Sequence, residues 1–494
     1  MAIRNFSGAE TGDLSEFSTV FGSVIAATDQ KHTGNYSVKI VSPASTSQYY
    51  TTLYPLAATG VPDTAAVMPT FHTSFWLNIN PNASAICTCA VIETVGSGNY
   101  FLAFDNLARL LLYASTGSLA FFSQVAHPIA TWFRIELSLT VNPGVGINYF
   151  LRTVGLDGRA LQETNGSHAN TTVTGFSALS IGRHFTGTQF SGGFTAYYDD
   201  IIIDDASMPA PAVVKIAIPT GAGSNADWTS GGSTFDRVDE IPPDGDTTYI
   251  SEASTTGISD FNMQDSATIG MSIAPVAVKP MAVVRWEATT GCSLSLWTKS
   301  GGVVAEQTPL TVGTISYFLM SAIQSLTNQA IPWTLATFDA LQVGVSQHGA
   351  ANARCTAIYA SVLVPSYDPP YFQANATALF AGGSMTGPLC AWGISFAAKD
   401  NLFTGADQIT WEIRNTNVPG GGILAASGTC SSAVFKFVNG LAYNNPALEN
   451  PVNSLFCHLS NGFANAVPGL FIIQVDADPP TDSTAISTSP NPVV

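Results

Sequence analysis

Carboxylates are the side chains of this sequence whose crowding could support chemistry. The stretch Trp228–Ile250 holds four Asp, one Glu, two Pro and three Gly against a single Arg, in a chain where 10% of residues are charged. Its acids are Asp236, Asp239, Glu240, Asp244 and Asp246. Acids this dense could work as a general acid and base or hold a hard cation. Catalysis requires a fixed separation between them, and consecutive turn acids in solvent do not supply one. Asp244-Gly245-Asp246 after Pro242-Pro243 is turn chemistry, because Pro presets φ and Gly takes conformations other residues avoid. Thr247, Thr248, Tyr249 and Ile250 then begin a strand. The stretch therefore reads as an elaborate loop feeding a sheet, with Asp239 to Asp246 a weak metal candidate.

Other catalytic patterns are missing from the sequence. It has no His-Glu-x-x-His, Gly-x-Ser-x-Gly, Walker loop or Cys-x-x-Cys. Gly420-Gly421-Gly422 follows Pro419 without the Lys-Ser/Thr of a phosphate cradle. The strand-like Trp132 to Leu139 carries one acid, Glu136, whereas glycoside cleavage needs two flanking one bond. No catalytic residue is expected. Seven cysteines stand at 87, 89, 292, 355, 390, 430 and 457 without metal-site spacing. Cys87 and Cys89 lie in the apolar run Ile86 to Ile92 and should face one side of a strand as buried thiols.

Composition sets the class of the elements that must position these residues. With 43 Gly, 28 Pro and 46% hydrophobic residues in 494, the chain favours many short strands joined by turns. The formal net charge of −17 argues against a basic phosphate-binding face, and nucleic acid is not an expected partner. No run of about 18 apolar residues suggests insertion into a membrane. The opening Met1 to Phe6 lacks the apolar core of a signal peptide, so a protein made in the cytosol is expected. Low charge density points to apolar surface covered by further copies of the chain.

Alternation assigns an all-β chain of tandem β-sandwich (jelly-roll) domains with a third smaller β domain. The first spans 1–208. It includes Tyr36 to Ile40, Thr73 to Ile79, Trp132 to Leu139 with Phe133, Ile135, Leu137 and Leu139 inward, Ile147 to Val154, and a final strand at Tyr197 to Asp204. Met208 to Pro211 is a stiff linker. A second β-sandwich spans 212–365, with strands at Val276 to Trp286, Ser293 to Thr298, Ile315 to Met320 and Ala357 to Val364, and a short helical turn within Trp333 to Gly344. The third domain covers 371–478, and 479–494 is a Pro/Ser/Thr tail that builds no core. That tail either lies along a neighbouring chain or packs on its own third domain.

Two stretches carry a family resemblance. Phe6-Ser7-Gly8-Ala9-Glu10-Thr11-Gly12-Asp13 resembles the opening of laminin-G-like jelly rolls. Tyr197-Tyr198-Asp199-Asp200-Ile201-Ile202-Ile203 followed by the acidic loop resembles tailed-bacteriophage virion structural proteins, in which a laminin-G-like (concanavalin-A-like) jelly roll precedes a second β domain opened by such a loop. The resemblance covers residues 1 to 365, and 371 to 494 match no family. It implies a non-enzymatic subunit exposed on the tail (fibre, spike or tip) or decorating the head. Its expected partners are copies of itself, as a trimer, and other virion proteins. It also implies a structural Ca²⁺ where the first and last strands meet, held by Glu10 or Asp13 with Asp199 or Asp200 and completed by carbonyls and water. The alternative is that Asp199-Asp200 caps the strand and binds backbone amides. Host surface glycan is a further implied partner, for which Tyr49-Tyr50, Tyr113, Tyr197 and Trp228 are the exposed-aromatic candidates. A host-receptor- or glycan-binding appendage and a polysaccharide-degrading enzyme are the competing functions.

Overall fold

The structure is a computed structural model. It describes residues 3–366 apart from short segments at 45–46, 58–60, 82–84, 97, 115–117, 157–159, 185–189, 230–233, 254–255, 287–292, 312–315 and 350–351, and strand backbones beyond. The chain is all-β, and its contacts divide it into units Met1–Pro365 and Ser366–Val494.

Within the first unit, strands drawn from Ile3–Asp204 build an eight-stranded and a seven-stranded sheet, both antiparallel where paired. The eight-stranded sheet centres on Trp132–Asn142, Thr70–Pro81 and Phe194–Asp204. Register follows the alternation of the sequence: Phe133 pairs with Leu77, Ile135 with Phe75 and Leu139 with Phe71. These side chains are buried against Leu102, Phe104, Leu110, Leu112, Leu179 and Ile181 of the other sheet. Each contributes about 1.5–3 kcal/mol by leaving water. Cys87 and Cys89 lie in the same core, where burial pushes the Cys87 thiol up to about 12, and Cys89 is displaced the same way.

The outward face expected for Trp132 to Leu139 is covered over its first half and opens to solvent only from Ser138 onward. Trp132, Arg134 and Glu136 are all buried, Glu136 completely. The sheet keeps them dry by pairing charge with charge, Arg134 and Arg152 both reaching Glu136. Polar type on alternate positions thus marks an ionic band and not a wet surface.

Strands from Ala212–Pro365 form a five-stranded and a six-stranded sheet around a second core that includes Trp228, Trp286, Leu296, Phe338 and Val345. The helical turn is the five-residue helix Leu335–Asp339, started by Thr334 accepting from the Thr337 amide. The acidic loop delivers the chain to the short strand Ile250–Glu252. The two sandwiches meet through the outer faces of their sheets. Ile3, Phe6 and Ile202 pack against Ala212, Val214, Ala277 and Leu363. The second unit holds a four-stranded and a three-stranded antiparallel sheet, with strands from Gln373–Asn375 to Leu470–Ala477. Gly420 to Gly422 and the tail 479–494 lie outside the described residues.

Candidate functional site

A bulge brings the acids together. Phe194–Asp204 pairs with Thr70–Pro81 in two registers, and the shift falls between Asp199 and Ile202. Asp200 takes a left-handed conformation, φ 47°. The extra residue breaks the two-residue period, so Asp199 and Asp200 both reach one cluster instead of opposite faces.

The segment His32–Tyr36 closes over that cluster. Asp199 Oδ2 accepts from the His32 amide at 2.9 Å and the Thr33 amide at 3.1 Å, and its Oδ1 from the Asp200 amide at 2.8 Å. Asp200 Oδ1 accepts from the Val214 amide of the second sandwich at 2.6 Å, and its Oδ2 lies 2.8 Å from His32 Nδ1. Glu10 accepts from the Asn35 amide at 2.9 Å and the Tyr36 amide at 3.3 Å. Gly34 makes this approach possible: at its φ of +59°, a Cβ would fall 2.1 Å from Glu10 Oε1. The His32 ring stacks on Trp76 at 3.8 Å, and Arg134 lies over the Trp76 ring at 5.7 Å. Glu136 is bridged by Arg134 Nη2 at 2.5 Å and Arg152 Nε at 2.6 Å.

Lys279 enters this polar seam from the second sandwich. Its Nζ lies 2.5 Å from Glu16 Oε1 and donates to the Phe6 carbonyl, while Glu16 Oε2 accepts from Ser7 Oγ at 2.9 Å. Lys279, Glu16, Glu10, Asp199 and Asp200 are all buried. Burial foremost raises the Glu10 carboxyl to about 7, with the charges of Asp200 and Glu16 adding to it against the two amide bonds. Asp199 is pushed well above the usual carboxylate range, first by burial and then by Asp200.

The expected calcium ligands are thus brought together in part. Glu10, Asp199 and Asp200 converge, and Asp13 does not join them. Its Oδ1 accepts from Thr11 Oγ1 at 2.9 Å, the Ser15 amide at 3.0 Å and Ser15 Oγ at 2.7 Å, closing its own turn. Both oxygens of Glu10, Asp199 and Asp200 already face hydrogen-bond partners, which is a poor fit to a cation that needs their lone pairs. Among the described residues no three His, Cys, Asp or Glu side chains could hold a metal. The expected outcome of stripping the protein with EDTA is an unchanged melting temperature; a fall reversed by Ca²⁺ would establish an ion.

The acidic loop is likewise stitched down. Asp246 Oδ1 receives Arg285 at 2.8 Å, Arg354 at 2.9 Å and the Tyr317 hydroxyl at 2.9 Å. Asp244 accepts from the Thr248 amide at 3.1 Å and from Thr356 Oγ1 at 3.2 Å. Burial is the main cause of a raised Glu240 carboxyl, which also meets the Thr248 hydroxyl. Pro242 and Ile241 pack against Gly12, so the loop buttresses the sandwich junction.

One cluster gathers around Tyr50, an aromatic candidate from the sequence, with partners the sequence did not point to. On the outer face of the seven-stranded sheet, Tyr50 stacks on His184 at 3.8 Å and Phe21 on Tyr50 at 6.0 Å. His184 Nδ1 lies 3.2 Å from Glu93 Oε1, which also accepts from Ser180 Oγ at 2.6 Å. Burial works to raise the Glu93 carboxyl, but hydrogen bonds from His184, Ser180 and Tyr54 outweigh it and hold the group below its ordinary value. The residues come from the strands Thr19–Phe21, Tyr49–Leu53, Cys87–Val95 and the end of Gly175–Arg183. Sheet order alone juxtaposes them, and Glu93 closing an apolar run was the one available signal. Of the other aromatic candidates, Trp228 is fully buried, Tyr113 packs edge-on to Phe190, and Tyr197 is occupied by Asp29 and Lys39.

No family model and no curated protein matches the chain. Among solved structures it is similar to an endo-β-1,4-glucuronan lyase from the fungus Trichoderma reesei, with 13% identity over 41% of this chain and 96% of that one, TM-score 0.30. It is also similar to a PL-14 alginate lyase from Aplysia kurodai, with 11% identity over 40% and 93%, TM-score 0.29. A Trypanosoma rangeli sialidase shares 12% identity over 42% of this chain and 31% of that one, TM-score 0.28. Likenesses this distant carry no functional inference.

Proposed function

We propose that this protein is a non-enzymatic structural subunit of a tailed-phage particle, displayed on the tail or head surface and assembled from several copies of itself, with trimers the expected state. The supporting observation is the buried seam at the sandwich junction. The converging acids that could have done chemistry are shielded from solvent and spent on backbone amides, arginines and Lys279. Acid–base work on a polymer needs two carboxylates open to a cleft, and these are closed. A seam of this kind suits a rigid building block. Immunogold imaging of purified particles tests the reading, with label expected at one defined position. Particles lacking the chain would overturn it.

A second reading, a glycan-binding appendage, is favoured by the partly exposed cluster of Phe21, Tyr50, Glu93 and His184. The two readings share the same scaffold and differ in whether one face of it engages a ligand.

A further inference from the structure

We propose that the outer face of the seven-stranded sheet around Phe21, Tyr50, Glu93 and His184 binds a neutral saccharide, an inference that rests on the glycan-binding reading. Phe21 sits on the outermost strand of the sheet, 50% exposed, with Tyr50 stacked beside it. An exposed ring backed by a second ring offers the apolar platform that the C–H face of a pyranose covers. Next to it stand groups that sort hydroxyls by direction. An ionised Glu93 is purely an acceptor, and hydrogen bonds from His184, Ser180 and Tyr54 favour that form by holding its carboxyl below the ordinary value. With Nδ1 turned to Glu93, the His184 ring presents its Nε2 edge away from the carboxylate. Carboxylates bond hydroxyls more strongly than neutral acceptors do, and a few convergent polar groups beside aromatics fix a ligand's orientation.

The groups are held before a ligand arrives. Tyr50 fixes the imidazole plane by stacking, Glu93 Oε1 lies 3.2 Å from its Nδ1, and Thr52 and Gln48 bond Ser180 Oγ at 2.6 Å and the His184 carbonyl at 3.1 Å. Ordering such side chains in advance removes an entropy cost from binding. Charge selects the ligand class. The partners of Glu93 are His184, Ser180 and Tyr54, with no lysine or arginine among them. Arg183, the neighbour of His184, is buried and donates to the Pro43 and Gly192 carbonyls. With an imidazole as its charged neighbour and no lysine or arginine among its partners, this carboxylate disfavours uronates, sialates and phosphates, and neutral sugars are the class it suits.

The test is an array of neutral and acidic glycans probed with the full chain, followed by calorimetry with the best neutral oligosaccharide. Phe21→Ala and Tyr50→Ala are each expected to weaken binding about tenfold or more, as is His184→Ala. Val304→Ser, on an exposed strand of the second sandwich, should leave affinity unchanged. If Tyr50→Ala fails to fold, Phe21→Ala decides, since that ring is exposed on the outermost strand and its loss spares the core. Neutral-glycan binding that survives these changes overturns this site and leaves the glycan-binding reading standing. Absence of any glycan binding overturns both, and preference for acidic glycans overturns the charge argument.

Discussion

Replacing Lys279 with Met is expected to cost about 3–5 kcal/mol of unfolding free energy, the usual consequence of leaving one member of a buried ion pair without its partner. The Glu16 carboxylate would lose a cation at 2.5 Å in a place that water does not reach, and the Phe6 carbonyl would lose a donor. Met matches the apolar stem of Lys, so the loss is electrostatic and not a cavity. Urea denaturation of the full chain measures it. The double variant Lys279→Met with Glu16→Gln should recover at least half of the loss, because the stranded charge is removed while Ser7 keeps an acceptor. A single variant that loses less than about 1 kcal/mol would show that the pair does not tie the sandwiches together.

The second large effect concerns pH. Glu10 ionises at about 7 in the folded protein and at 4.5 ordinarily. Between those values the folded state holds a proton that the unfolded state has released. Stability from this group is therefore complete below pH 4.5 and is lost as pH rises through about 7. At 1.36 kcal/mol per pKa unit the gap amounts to ~3 kcal/mol. Denaturation curves from pH 5 to 8 should show the native protein weakening by roughly that amount relative to Glu10→Gln. The variant is uncharged throughout and retains an acceptor for the His32–Tyr36 segment. Asp199, displaced in the same direction, leaves a residual slope in both proteins. A native protein that strengthens over this window would contradict the buried, charge-crowded setting of Glu10.

These two effects arise where the sequence was only partly readable. Strand periodicity places Phe133, Ile135, Leu137 and Leu139 in the core, and they lie there. The final strand and the helical turn at Leu335–Asp339 were equally visible. Resemblance brought Glu10, Asp199 and Asp200 to one place. Periodicity could not, since neighbours on a strand should diverge and only the bulge at Asp200 aligns them. Asp13 looked equivalent to Glu10 in sequence, yet the Thr11 and Ser15 side chains beside it offered a shorter-range partner. Arg134 and Glu136 read as an outward face because residue type reveals polarity and not whether another charge will cover it. Tyr50 was named as an aromatic candidate, but Glu93 and His184 escaped because sheet order sets their proximity to it, over separations no local pattern spans.

The passage from one sandwich to the next has a mechanical consequence. A bare peptide connection would let two bodies swing like beads on a string. Here Asp204 caps the amides of Ala206 and Ser207, Asp205 is clasped by Arg4, and Asp200 reaches across to the Val214 amide. Tension applied at either end is therefore shared among cross-braces instead of running through the backbone alone. Residues 1–365 should answer a pull as one braced body, with yield beginning where those braces are sheared.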